Sequence, residues 1–367
     1  MISPDKPSGS RFWNEKTRLL HPYVPGEQPR GQTFIKLNTN ENPYPPAPEV
    51  LSALNTLPAD ACRLYPDPES LALRQAIAGY YGLDVAQVFV GNGSDEVLAI
   101  AFQAFFEPSG PRDTPERAVV FPDVTYSFYP VYANFYNINW RTVPLNDDFT
   151  LPVDALMEPS GGLVLANPNA PTGIAADLPV IEQLAHRDPD RLVLVDEAYI
   201  DFGGQSAVSL LDRCDNILVV QTCSKSRALA GLRLGFALGS PALIEGLTRV
   251  RDCFNSYTLD RAAQAAGAAA FGASAWFEKT RARIIASRQR MAGALDELGF
   301  EVLPSSANFV FARHPRHSGA SLYSNLRQAG ILVRHFNLPR IADFLRITVG
   351  TDSQIDEMIR VLKRLLL

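Results

Sequence analysis

The sequence predicts an α/β protein: a large unit built on a mostly parallel, helix-covered sheet, followed by a smaller α+β unit. Three features point there. Short apolar runs recur with the profile of strands buried on both faces: Leu163-Val164-Leu165-Ala166, Leu192-Val193-Leu194-Val195 and Ile217-Leu218-Val219-Val220. A helical pattern over about 177–187 separates the first two, as a parallel crossover requires. After about residue 258 the rhythm changes to long helices interleaved with short strands.

Bulk properties narrow the class. Of 367 residues 46% are apolar, enough to fill the core of one large and one smaller domain. We expect an N-terminal arm over 1–34, a large domain over 35–258 and a small domain over 259–367. Part of the N-terminal segment is expected to pack on the small domain. The net charge of -5 and a pI near 5.6 leave no basic face for a nucleic-acid backbone. Mean hydropathy is -0.04, and no run approaches the roughly 20 apolar residues of a membrane span. Cys62, Cys214, Cys223 and Cys253 are scattered, and the N-terminus lacks an apolar signal core. Together these imply reduced cysteines in a cytoplasmic protein. The five histidines show no metal-like spacing, so no metal site is expected.

Along the chain, residues 1–34 are rich in Pro, Gly and charge, and carry the turn-prone His21-Pro22-Tyr23-Val24-Pro25-Gly26. Ile35-Lys36-Leu37-Asn38-Thr39-Asn40-Glu41-Asn42-Pro43 reads as a short strand running into a polar turn. A second turn, Arg63-Leu64-Tyr65-Pro66-Asp67-Pro68, carries another aromatic. Leu71, Leu73, Ala76, Ile77 and Tyr80 then recur at helical spacing. Val88-Phe89-Val90 is a strand that leads through Gly91-Asn92-Gly93-Ser94-Asp95-Glu96 into a helical run over 97–106. A strand, a glycine turn and a helix start point free backbone N–H groups at an anion. The third glycine of a dinucleotide fingerprint is absent, since position 96 is Glu, so a monophosphate held by the amides of Ser94 and Asp95 fits better. Ala118-Val119-Val120-Phe121 is a further strand, and Tyr126 sits just past it, facing either a ligand or the core. Residues 139–143 make another strand, and 234–238 one that runs antiparallel. In the small domain we expect helices over 261–270, 277–298, 319–329 and 353–366. Its strands are expected over 301–303, 308–312, 331–334 and 344–349.

The chemistry gathers at the carboxyl ends of the buried strands, where open α/β sheets place their ligands. The strand at 163–166 ends in Asn167-Pro168-Asn169-Ala170-Pro171-Thr172-Gly173. That at 192–195 ends in Asp196-Glu197-Ala198-Tyr199. The strand at 217–220 delivers Thr222-Cys223-Ser224-Lys225-Ser226-Arg227, followed by Gly231-Leu232-Arg233-Leu234-Gly235. An ammonium without a partner is costly to bury, and a buried Asp196 calls for a cationic neighbour.

Strand ends carrying Asn, Asp/Tyr and Lys in this order resemble the fold-type I aminotransferases, which use pyridoxal phosphate. Within them the pattern is similar to the histidinol-phosphate aminotransferase family. Asp-Glu-Ala-Tyr, Ser-Lys-x-x-x-Leu-Ala-Gly-Leu-Arg-x-Gly-Phe and Leu345-Arg346-Ile347-Thr348-Val349-Gly350 carry the resemblance, which runs from about residue 35 to the end. It implies a large domain with a seven-stranded, mostly parallel sheet. It gives Lys225 the capture of the cofactor aldehyde and the proton shuttle, chemistry suited to a lysine amine. Asp196 meets the pyridine nitrogen and keeps it protonated, and the Tyr199 phenol meets the ring oxygen. The amides of Ser94 and Asp95, the Ser224 hydroxyl and Arg233 hold the phosphate, with Tyr126 on the ring face. Tyr65 reaches the phosphate of a partner subunit, which implies a homodimer. Relatives often read Asn-Pro-Asn-Asn-Pro-Thr-Gly, the second adjacent asparagine binding the ring oxygen. Here that position is Ala170, so the role is vacant or passes to Asn169.

On the substrate side the resemblance gives Arg346 the anionic end, with Arg334 adding charge for a phosphate and Tyr23 and Asn38 lining the pocket. The implied activity moves an amino group between L-histidinol phosphate and 2-oxoglutarate. An aromatic amino-acid aminotransferase and a decarboxylase of a phosphorylated amino acid share much of the pattern. An effector-sensing regulator would carry a basic DNA-binding domain ahead of this fold, for which the proline-rich arm leaves no room.

Overall fold

In the computed structural model, residues 10–23, 26–28, 33–110 and 114–367 are described. Strand β1 is Ile35–Lys36. Strands β2 (Val88–Asn92), β3 (Val119–Pro122), β4 (Trp140–Val143), β5 (Gly162–Ala166), β6 (Val193–Asp196), β7 (Ile217–Thr222) and β8 (Leu234–Leu238) build one seven-stranded sheet. Its order is β2-β8-β7-β6-β5-β3-β4. The contiguous pairs from β4 to β7 are parallel, and β8 alone runs antiparallel, to both β2 and β7.

Because side chains alternate across a strand, the continuous apolar runs fill two cores at once. Leu163, Leu165, Val193, Val195, Ile217 and Val219 face one layer of helices, which includes Pro48–Asn55, Leu71–Tyr81 and Leu178–His186. Val164, Leu194, Leu218 and Val220 face the other, formed by Gly93–Phe105, Tyr129–Phe135 and Pro241–Asp252. Burial on both faces leaves only the strand ends for chemistry.

The small unit is an antiparallel sheet of β9 (Glu301–Val302), β10 (Phe309–Arg313), β12 (Arg334–His335) and β13 (Phe344–Thr348), in the order β12-β13-β10-β9. Helices Ser274–Glu297, Gly319–Gln328 and Asp352–Leu365 contribute Ile284, Met291, Leu322, Leu326, Ile355 and Met358 to its core. The run at 331–334 is two strands. Strand β11 (Ile331–Leu332) pairs in parallel with β1, and β12 pairs with β13, while Val333 between them turns into the core. Two elements sit across the boundary drawn at 258/259. Strand β1 belongs to the small unit's sheet structure. Helix Arg261–Gly272 packs on the large unit through Ala263, Ala266, Ala270 and Phe271. Its small side chains allow close approach: a Cβ on Gly267 would lie 2.4 Å from Leu234 Cδ2.

Leu194, fully buried at the centre of the sheet, tests this arrangement. Leu194→Ala is expected to lower the unfolding free energy by about 2–5 kcal/mol, read from chemical denaturation.

Candidate active site

The loop after β7 is held from three sides. Asn42 Nδ2 donates to the carbonyls of Lys225 at 2.9 Å and Ser226 at 3.1 Å. The Ser226 hydroxyl bonds Asp201. The Arg227 guanidinium lies over the rings of Phe271, Phe277 and Tyr80, at 3.8, 4.4 and 4.7 Å from their centroids. Between these anchors Lys225 reaches into the cavity, where its Nζ donates to the Thr39 carbonyl at 3.3 Å.

Asp196 closes β6 and is only 5% exposed. Its Oδ2 accepts the Tyr129 phenol at 2.9 Å, and its Oδ1 accepts the Ala198 N–H at 3.2 Å. Burial pushes its carboxyl up to about 6, against the pull of those two bonds and of the Lys225 charge. Glu197 turns to the other side, bonding Ser206 Oγ, the Ala207 amide and Gln221 Nε2. Burial pushes this carboxyl up to about 7.

An anion cradle lies beside them. Strand β2 passes straight into helix Gly93–Phe105, whose first turn has N–H groups without intrahelical partners. Gly235 faces Gly91 across the β2–β8 pair, and a Cβ there would lie 2.3 Å from both Gly93 C and Ser94 N. Glycine at 235 therefore sets how closely β8 can approach the helix start. Arg233 adopts a left-handed backbone (φ 53) that brings its Nη2 to 3.0 Å from Asp95 Oδ2. Asp95 Oδ1 also accepts the Tyr126 phenol at 3.0 Å. Ser224 Oγ sits 2.9 Å from Thr222 Oγ1.

The opposite wall comes from the small unit. Arg334 and Arg346 are directly paired across β12 and β13. Like charges in such register repel, and an anion between them relieves the repulsion. Burial holds the Arg346 guanidinium below its ordinary value, and the Arg334 charge acts in the same direction. Arg346 Nη2 donates to the Asn38 carbonyl at 3.0 Å, while its Nε and the buried Asn38 Oδ1 are left without hydrogen bonds. The Tyr23 ring stacks on Phe128 at 4.6 Å.

One cavity of about 340 Å³ gathers Tyr23, Asn38, Ser94, Asp95, Tyr126, Asp196, Tyr199, Ser224, Lys225, Arg233, Arg334 and Arg346. Two expected residues lie elsewhere. The expectation that a ring-oxygen contact passes to Asn169 is corrected. Its Nδ2 is committed to the Val124 carbonyl and Thr172 Oγ1, both at 3.0 Å, and the residue lines a separate cavity with Leu151 and Ile174. Its neighbours Pro168 and Ala170 are the ones that face the main cavity. Tyr65 is 75% exposed, stacked on Tyr257, and outside the cavity of its own chain. Sequence reasoning missed Tyr129, which braces Asp196, and Asn40, whose Nδ2 donates to the Tyr199 phenol at 2.9 Å. The signal for Asn40 was three asparagines, Asn38, Asn40 and Asn42, crowded into the polar turn that follows β1.

A profile described as aminotransferase class I and II matches residues 32–362. The chain belongs to the class I and II aminotransferases. Histidinol-phosphate aminotransferase 1 of Bradyrhizobium diazoefficiens is 56% identical over 357 residues, spanning 97% of this chain and 100% of that protein. The histidinol-phosphate aminotransferase of Acinetobacter baumannii (strain AB307-0294) is 53% identical, spanning 96% of this chain and 97% of that one. The solved structure of histidinol-phosphate aminotransferase from Sinorhizobium meliloti, in complex with pyridoxal-5'-phosphate, shares the fold. It superposes with a TM-score of 0.85 at 24% identity, covering 98% of this chain and 99% of that one.

The two raised carboxyls give this aminotransferase a pH signature without ligand. Both favour the protonated form when folded, so the stability they contribute is complete below about pH 4 and is lost as pH rises through about 6 for Asp196 and about 7 for Glu197. Glu197→Gln is expected to shrink the drop in unfolding free energy between pH 5 and pH 8 by roughly 1–3 kcal/mol, measured by denaturant titration.

Proposed function

We propose that this aminotransferase moves an amino group between L-histidinol phosphate and 2-oxoglutarate with pyridoxal phosphate as its cofactor. The observation that carries the substrate reading is the paired Arg334 and Arg346 on the small-unit wall, a second anion site separate from the cradle at Ser94 and Arg233. The names of its relatives at 53–56% identity agree with it.

The donor set fits the cofactor. A helix start with an adjacent arginine suits a phosphate, and a buried carboxylate raised to about 6 suits a cationic ring nitrogen. When bound, the cofactor supplies an electron sink for the substrate carbon that bears the amine. Lys225 Nζ would hold the cofactor through its aldehyde carbon and, once displaced from it by the substrate's amine, would be the base that moves the proton at the amine-bearing carbon. Asp196, braced by Tyr129, keeps the ring nitrogen protonated, while a cation beside it reverses the burial-driven rise of its own carboxyl. The amides of Ser94 and Asp95, with Ser224 Oγ and Arg233, hold the cofactor phosphate, and Tyr126 covers the ring. Arg346 and Arg334 take the phosphate of histidinol phosphate and, in the other half-reaction, a carboxylate of the co-substrate. Tyr23 and Asn38 close that end of the cavity.

We infer a homodimer in the cytoplasm. Tyr65 is exposed beside Leu64 and stacks on the exposed Tyr257, a placement that suits reaching a partner's cradle. Among the described residues no helix is long and apolar enough to cross a membrane.

Three donors separate the readings when the half-reaction is followed at the cofactor's visible band: histidinol phosphate, phenylalanine and phosphothreonine. Amino transfer from histidinol phosphate is the expected result, and a response to phenylalanine alone sinks the substrate choice. Lys225→Ala is expected to lose the lysine-linked visible band and about 10²-fold or more of turnover. Arg346→Ala should raise KM for histidinol phosphate by about tenfold or more, since a charge-assisted contact to phosphate is lost.

A further inference from the structure

We propose that Asn40 is a positioning residue for Tyr199, turning the phenol so that its proton is directed at the cofactor's ring oxygen; this rests on the pyridoxal phosphate reading above. Asn40 is 1% exposed and holds a left-handed backbone (φ 56), a conformation asparagine tolerates better than most residues. That conformation brings its side chain against two partners. The Asn40 backbone N–H donates to Thr348 Oγ1 at 3.0 Å, and the Thr348 hydroxyl donates to the side-chain Oδ1 of Asn40 at 3.0 Å. With Oδ1 taken as an acceptor, the NH₂ end of the carboxamide must face Tyr199, whose oxygen lies 2.9 Å from Nδ2.

The direction of that bond decides the chemistry. A phenol that accepts from an amide keeps its own hydrogen for another acceptor. Tyr199 lines the main cavity, with its ring edge-on to Phe309, so the open direction for that hydrogen is the ligand. The wall at position 170 offers only a methyl group, and the carboxamide of Asn169 serves a different cavity. The amide polarity felt by Tyr199 therefore comes from residue 40. Thr348 also stands two residues from Arg346 on β13, so both project to one face of that strand. Arg346 meets the Asn38 carbonyl and Thr348 meets Asn40, which ties the substrate-binding strand and the phenol to one stretch of chain.

An N–H donor on the phenol oxygen stabilises negative charge there when the proton shared among Tyr199, the ring oxygen and Lys225 is lost to solvent. Removing the donor therefore raises the pH of that loss, and placing a carboxylate there raises it further. The test is a pH titration of the visible absorbance of cofactor-loaded protein, with cofactor content measured separately. Asn40→Ala is expected to raise the midpoint by about half to one pH unit, and the isosteric Asn40→Asp by about one unit or more. Ala170→Asn added to Asn40→Ala restores a carboxamide from the facing wall and moves the midpoint back. Thr348→Val leaves Asn40 in place but frees its amide to flip, and a rise in midpoint there carries the same reading if Asn40→Ala does not fold. Loaded variants that titrate at the wild-type midpoint overturn the inference. Wild-type protein that takes up no cofactor overturns the proposed function instead.

Discussion

A carboxylate buried at the end of a strand constrains the rest of the molecule. Asp196 is held by a phenol and a backbone N–H, and burial lifts its carboxyl to about 6. A carboxyl in that state is poorly matched to its surroundings until a positive charge lies against it. The sheet around it is buried on both faces, so the strand ends alone are open to such a charge. Lys225 in the loop after the next strand, the helix start at Gly93 and the aromatic packing of Tyr129 all follow from building a polar cavity on an apolar slab. Phe102, Phe121 and Tyr126 hold the Tyr129 ring, which keeps its hydroxyl on Asp196.

The other organising piece is the segment after β1. Over five residues it supplies the Asn38 carbonyl to Arg346, the Thr39 carbonyl to Lys225, the Asn40 amide to Tyr199 and the Asn42 amide to the backbone at 225 and 226. Bends at 38 and 39 and the left-handed backbone of Asn40 turn these groups toward different partners. The same segment starts in a β-bridge to the small unit and ends against the large one. It is therefore the piece of chain through which the two walls of the cavity keep their spacing.

The parallel sheet was legible because its strands are unbroken apolar runs and each ends in residues that an ordinary loop would not concentrate. The Lys225, Asp196 and Arg233 stretches stood out for the same reason. What the sequence hid was mostly non-local. Helices Pro48–Asn55 and Pro241–Asp252 were not among the sequence expectations, although each carries a proline in its first turn. The run at 331–334 divides because two different partners claim its halves. Helix Arg261–Gly272 looked like the first piece of the small unit because its alanines carry little periodic contrast, yet small side chains are what let it lie on the large one. Asn169 was misjudged because spacing cannot tell which of two adjacent residues faces inward when prolines bracket the turn. Tyr129 and Asn40 were missed because each acts through a partner 67 or 159 positions away.

The bond between Asn40 and Thr348 joins positions 308 residues apart, and β1 meets β11 over a comparable span. Closing loops of that length is entropically slow, and local helices and the central parallel strands can order without it. The cavity is thus a late product of folding. A chain still emerging from the ribosome can hold the strands of its central sheet while Lys225 lacks the wall that orders it, so the cavity waits on the last residues of the polypeptide.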